Sequence, residues 1–167
     1  NEERSALMTG YFMDSYRRVS GKAPRILFKF GASHAGRGTS TTDIYDLGSY
    51  LPPLAAANGL RSLHIIWVPV EGSVRQIVPE NGRMTKVAPY KSEGIAKLLE
   101  IAGIPLSRIP EDGQVLIPMK PLRYAMKRKQ RAELDDLARF TLLGIDYLVT
   151  THGAKPATHF ETWDGGK

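Results

Sequence analysis

The run SLHIIWVPV at residues 62–70 constrains the fold of this chain more than any other stretch. Apolar side chains fill it almost without interruption. A strand of that character predicts burial on both faces, the pattern of a parallel sheet covered by helices above and below. The runs QVLIP at 114–118 and IDYLVTT at 145–151 read as further core strands. RILFKFG at 25–31 reads as another, because Ile26, Phe28 and Phe30 alternate with Arg25 and Lys29, although Leu27 breaks the alternation. None of these runs approaches the roughly 20 apolar residues a membrane-spanning helix needs.

Helical patterns separate the strands. Met8, Phe12 and Tyr16 recur at four-residue spacing within residues 3–19, with Leu7 and Tyr11 beside them. Asn1 is placed to cap that helix and Ser20-Gly21 to stop it. Ile44, Leu47, Gly48, Leu51, Leu54 and Ala55 share a second helical face. Thr41 or Thr42 is the expected cap, Pro52-Pro53 must kink or end the helix, and Asn58-Gly59 closes it. Residues 92–102 form a third helix, capped by Ser92 and stopped by Gly103, and residues 130–143 a fourth. VRQIVPENGRMTKV carries a turn signal at 79–82 between two strand-like runs, which predicts a hairpin insertion at 72–90. Strands alternating with helices predict an α/β fold: a three-layer arrangement in which a mostly parallel central sheet is flanked by helices, either a single domain over 1–167 or the C-terminal half of a larger one.

Composition narrows the chemistry. The chain has no cysteine, which excludes disulfides, thiol catalysis and cysteine-ligated metals but does not separate cytoplasm from exterior. Its formal net charge is +6. Lys120, Arg123, Lys127, Arg128, Lys129 and Arg131 lie together with no acid between them. Such a cluster could track a nucleic-acid backbone, but Tyr124 is its only aromatic and no nucleic-acid fold signature accompanies it, so a solvated basic segment is the commoner explanation.

The glycine-rich turn GASHAGRGT, entered from the strand-like run at 25–31, is the most informative local feature. Gly31 and Gly36 have the spacing of a phosphate-binding loop. Arg37 stands where that loop needs lysine, however, and Gly38 where it needs a hydroxyl. The dinucleotide pattern fails as well. What remains is His34, an imidazole able to take a proton from water if a carboxylate orients it. Asp43 or Asp46 could do so, and Asp43 is assigned that role. Arg37 and the turn amides could stabilise negative charge. A turn histidine bonded only to backbone is the ordinary alternative.

The block RILFKFGASHAGRGTSTTDIYDLGSYL resembles one found in bacterial proteins related to erythromycin esterases, a superfamily that also groups haem-uptake lipoproteins and Tiki-type proteases. The likeness is best over residues 25–51. It extends loosely to the helix carrying Arg4 and Met8 and to residues 146–158. It implies an α/β fold and, for the esterases, metal-independent ester or amide hydrolysis in which a histidine, here His34, activates water. The chain departs from that pattern. Gly31 stands where a first histidine is usual, and no early glycine–glutamate–histidine motif is present. The expectation is therefore the C-terminal part of a longer protein, not catalytic alone.

The resulting assignments are His34 and Asp43 as catalytic residues, with Lys29, Ser33, Arg37, Arg123 and His152 as contacts to a small-molecule substrate or anion. No metal ligands are assigned. Arg123 lies in KPLRYAM, which also resembles a family block. His64 reads as a core or strand-edge histidine. His152 and His159 are seven residues apart, which is no standard zinc spacing. The rival reading is a non-catalytic binding domain for haem, a metal or a small anion.

Overall fold

The structure is a computed structural model that describes residues 2–19, 21, 23–80 and 83–157. Asn1, Ser20, Thr158 and His159 lie outside the described residues. The first helix, α1 (Glu2–Arg17), occupies the span that the spacing of its apolar residues predicts, yet only Ser5 in it is buried. Its aromatic face meets the segment that follows: the Phe12 and Phe28 rings pack edge to face at 5.1 Å between centroids, and Phe28 stacks on Phe30 at 5.7 Å.

That segment is the first correction. Residues 23–31 adopt no regular secondary structure and join no sheet among the described residues. Leu27 is 96% exposed. The alternation of Ile26, Phe28 and Phe30 reflects packing against α1 and the cleft described below, not a ladder. A 3₁₀ turn, Ala32–His34, and an irregular stretch then lead into α2 (Leu47–Ala57). The N-cap of α2 is Asp46, whose carboxylate accepts from the Leu47 amide, and not Thr41 or Thr42. Pro52 and Pro53 remain inside the helix, which continues to Ala57 without their two N–H donors.

Three short strands form the sheet, in the order β1 (Ile65–Trp67), β5 (Tyr147–Thr150), β4 (Val115–Pro118). β1 and β5 are parallel; β4 and β5 are antiparallel. Between β1 and β4 come the long hairpin β2 (Glu71–Glu80) and β3 (Arg83–Lys91), paired antiparallel as a separate two-stranded sheet, and α3 (Glu93–Ile101). Ser92 caps α3 and Gly103, at φ +70°, follows its end. After β4 come α4 (Met119–Ala125), which the sequence did not lead us to expect, and then α5 (Arg128–Ala132) and α6 (Asp136–Gly144), which divide between them the single helix expected at 130–143. The break before α6 is made by Asp135, whose carboxylate caps it by accepting from the Ala138 amide at 2.8 Å.

The expected three-layer fold with a mostly parallel central sheet is therefore not what forms. The described residues are mixed α/β, with sheets of three and two strands that are only partly parallel. One face of the three-stranded sheet carries Ile66, Leu148 and Ile117 into a core shared with Ile95, Leu98, Leu99 and Leu142 of α3 and α6. Each such side chain contributes about 1.5–3 kcal/mol on burial. The opposite face is only partly covered among the described residues: Ile65, Trp67 and Leu116 are 48%, 46% and 55% exposed. A run of apolar residues shows that a strand is hydrophobic; it does not show that a second layer arrives to cover it. No helix among the described residues is long and apolar enough to cross a membrane.

Candidate functional site

The glycine turn is a close-packing device. A Cβ on Gly36 would lie 2.2 Å from the Phe140 ring, one on Gly48 2.5 Å from the Gly36 carbonyl oxygen, and one on Gly144 2.6 Å from the Arg37 carbonyl oxygen. The turn thus threads between the first residues of α2 and the last of α6, where the Arg37 amide donates to the Gly144 carbonyl at 3.0 Å. Of the turn's glycines only Gly38, at φ +79°, requires the left-handed backbone.

This packing delivers His34 to Asp46. Nδ1 of His34 hydrogen-bonds Oδ2 of Asp46. The Asp46 side chain is 2% exposed, and its other oxygen accepts from the Ser5 hydroxyl at 3.1 Å and from the Leu47 amide at 2.7 Å. Burial pushes the Asp46 carboxyl up, but the hydrogen bonds from His34, Leu47 and Ser5 and the His34 charge outweigh it, so its pKa lies below the usual carboxylate value. An ionised Asp46 can only accept, so Nδ1 carries the proton and the lone pair of a neutral ring sits on Nε2. The His34 ring keeps 20% exposure and borders a cleft of about 510 Å³. The cleft lies between α1, residues 24–30, α2 and the start of β1, and apolar side chains such as Phe12, Ile26, Phe28, Leu51, Leu54 and Ile65 dominate its walls.

Asp43 does not take the orienting role assigned to it. It is exposed, at φ +57°, in a tight turn closed by the Ser40 amide on the Ile44 carbonyl at 2.8 Å. Ser33 reaches Thr41, hydroxyl to hydroxyl, at 3.3 Å. Lys29 is exposed.

Arg37 faces protein, not the cleft. Its two terminal nitrogens donate to the two oxygens of Asp146 at 2.8 and 2.6 Å, and one also reaches the Ser62 carbonyl at 3.3 Å. Asp146 further accepts from the His64 amide at 2.8 Å. Burial raises the Asp146 carboxyl; the hydrogen bonds from Arg37 and His64 and the Arg37 charge lower it by more. His64 is 5% exposed, with Nδ1 donating to the Ala35 carbonyl at 2.6 Å and Nε2 3.0 Å from the Ser62 hydroxyl. Its pKa is lowered, chiefly by burial and also by the Arg37 charge, against the Ala35 carbonyl and Asp146, which raise it. In the neutral ring, Ser62 is the donor to Nε2.

Asp146 and His64 immediately precede the parallel strands β5 and β1, so the turn packs against the amino ends of these strands. His152 follows β5 at the opposite end, on the order of 15–20 Å away at an extended-chain rise. There its Nε2 is 3.5 Å from a Glu71 oxygen. His34 and His152 therefore share no sheet end. Arg123 donates to the Leu142 and Ile145 carbonyls at 2.9 and 2.8 Å, which ties the end of α6 to the entry of β5. Arg131 donates to the Met126 and Arg123 carbonyls. Two cations of the basic segment are thus committed to backbone. His159 lies outside the described residues, and no cluster of three or more potential metal ligands occurs among the described residues.

Sequence reasoning assigned Asp43 where the geometry has Asp46, and it missed Ser5 and Ser62. Asp46 carried a local signal as the last acid before the helix's first buried residues. Ser5 carried none, because its role comes from a 41-residue separation in the chain. No family model matches the chain, and no curated protein or solved structure matches it.

Proposed function

We propose that this chain contributes a general base to metal-independent hydrolysis of an ester or amide bound in the cleft. The observation that carries this reading is the His34–Asp46 pair, with His34 on the wall of the apolar cleft and the buried Asp46 bonded to its Nδ1. Nε2 takes a proton from a water as its oxygen adds to the substrate carbonyl. The imidazolium then returns the proton to the departing alcohol or amine, and Asp46 stays ionised throughout, stabilising the imidazolium between the two transfers. The resemblance of residues 25–51 to erythromycin-esterase-related proteins supports the same reading. Roles for Arg37 and Arg123 in holding substrate charge are not part of it, since both guanidinium groups are engaged with protein oxygens.

The test is turnover of p-nitrophenyl esters of graded acyl length. His34→Gln should lower kcat about 100-fold or more, the usual contribution of a positioned general base. Asp46→Asn should follow it, whereas Asp43→Asn should not. A His34→Gln variant that turns over ester as fast as wild type overturns the reading. A second reading rests on the 3.0 Å approach of Ser62 to His64, which suits a serine nucleophile with His64 as its base. Ser62→Ala would abolish turnover in that case and leave direct water attack intact.

A further inference from the structure

The cleft that His34 borders has an uneven charge. Among the described residues, its walls include Arg25 and Arg61 and no aspartate or glutamate. Both arginines are exposed, and neither meets a carboxylate among the described residues. They differ in this from Arg37, held by Asp146, and from Arg123 and Arg131, held by carbonyls. The rest of the wall is largely aliphatic and aromatic, from Phe12 and Tyr16 on α1 to Leu54 on α2 and Leu63 ahead of β1. The other polar side chains among the described lining residues are Tyr16, His34, paired with Asp46, and Ser62 and His64, paired with each other.

We propose that the occupant of this cleft is a small apolar organic anion: a hydrocarbon or aromatic body against the apolar walls and one anionic head against Arg25 and Arg61. Charge complementarity selects it. A neutral hydrophobe would leave two guanidinium groups without a counter-ion beside an apolar surface. A cation would meet only like charge. An inorganic anion would leave the apolar surface wet. The volume of about 510 Å³ suits a small molecule and falls within the range of ligand pockets. Guanidinium groups bind carboxylates and related oxyanions through charge-assisted hydrogen bonds, about twice as strong as neutral ones. The assignment concerns binding and stands whether or not His34 cleaves what is bound.

Octanoate and octanol are the test pair, with the same chain and different heads. Titration calorimetry at pH 8 should show saturable octanoate binding at least about tenfold tighter than octanol, the difference expected of charge-assisted contacts. Acetate should not bind detectably. Arg25→Gln/Arg61→Gln should erase the preference with an unchanged urea midpoint, because both positions are exposed. Arg25→Glu/Arg61→Glu should transfer the preference to octylammonium. The readout is binding and not turnover, so loss of the catalytic reading would not touch this one. No saturable octanoate binding, equal affinity for octanol, or a preference that survives the double glutamine variant overturns the proposal.

Discussion

Arg37 and Asp146, 109 residues apart, lie fork to fork at the amino end of the parallel strand pair, with two hydrogen bonds of 2.8 and 2.6 Å. Both side chains are about a quarter to a third exposed, so the pair is screened in part. What it does is mechanical. It pins the glycine turn to the sheet, and Asp146 uses its remaining capacity on the His64 amide at 2.8 Å. Arg37→Met should therefore destabilise the fold by about 1–3 kcal/mol, the cost of leaving a partly buried carboxylate short of partners. Urea denaturation of Arg37→Met, Asp146→Ala and the double variant checks this. A coupling of about 1 kcal/mol is expected for residues in direct contact, and strict additivity would refute the pinning role.

Glycine substitutions should split by environment and not by helix propensity. Gly48 lies in the first turn of α2, where alanine is ordinarily better by about 1 kcal/mol. A Cβ there would meet backbone atoms of Ala35 and Gly36 at 2.5–2.8 Å, so Gly48→Ala should cost about 1–3 kcal/mol instead. Gly10 in α1 has nothing within 4 Å of its Cβ position, so Gly10→Ala should gain about 0.5–1 kcal/mol. Thermal midpoints moving in opposite directions are the expected result.

Stability should fall on the acid side in two stages. The pKa of His64 in the folded protein lies below its ordinary value of 6.5, so its contribution is complete above that pH and is lost as pH falls through the folded value. Between the two, the unfolded chain binds one more proton, which gives a slope of at most about 1.4 kcal/mol per pH unit. Asp46 and Asp146 are likewise lowered from 3.8, and what they contribute persists down to about that pH and is lost below it. Urea midpoints between pH 4 and 8 should decline below about 6.5 in wild type, the ordinary imidazole range, and His64→Gln should flatten that decline.

Arg123 should not tolerate lysine. It serves two carbonyls, Leu142 and Ile145, from separate nitrogens of one planar group. A lysine ammonium is a compact point charge and cannot reproduce that fork. A loss of about 1 kcal/mol is expected for Arg123→Lys in chemical denaturation, and a neutral outcome would show that the carbonyls find other donors at no cost.

Much of the secondary structure was legible. Ser92 and Gly103 bracket α3 because a hydroxyl that accepts an amide and a residue free to adopt positive φ are local requirements. The hairpin at 71–91 and the strands around Val115 and Leu148 follow from local pattern as well. The helix expected at 130–143 was half right: its apolar residues Leu137, Ala138 and Leu142 do lie in α6, but Asp135 starts that helix five residues later. RILFKFG failed because alternation records which side chains find apolar neighbours. Phe28 finds Phe12, and no second strand is needed for that.

At the site, the histidine was readable and its partner was not. His34 stood out because a titratable ring among glycines is unusual. Asp46 had only a weak local signal over Asp43, its place just before the first buried residues of the helix, and the two separate clearly when the turn at 40–44 leaves Asp43 in solvent while α2 and Ser5 enclose Asp46.

By itself the sequence determined α1, α2 and α3 and the apolar strands around Ile66, Val115 and Leu148, and it singled out the tight turn around His34, because propensity, capping and glycine conformation act over a few neighbouring residues. Only the tertiary structure decided that one face of the sheet is left partly exposed among the described residues, that Arg37 serves Asp146, and that Asp46 stands behind His34. Those outcomes depend on contacts between residues tens to more than a hundred positions apart, and the pattern within any one segment does not say which partner will reach it.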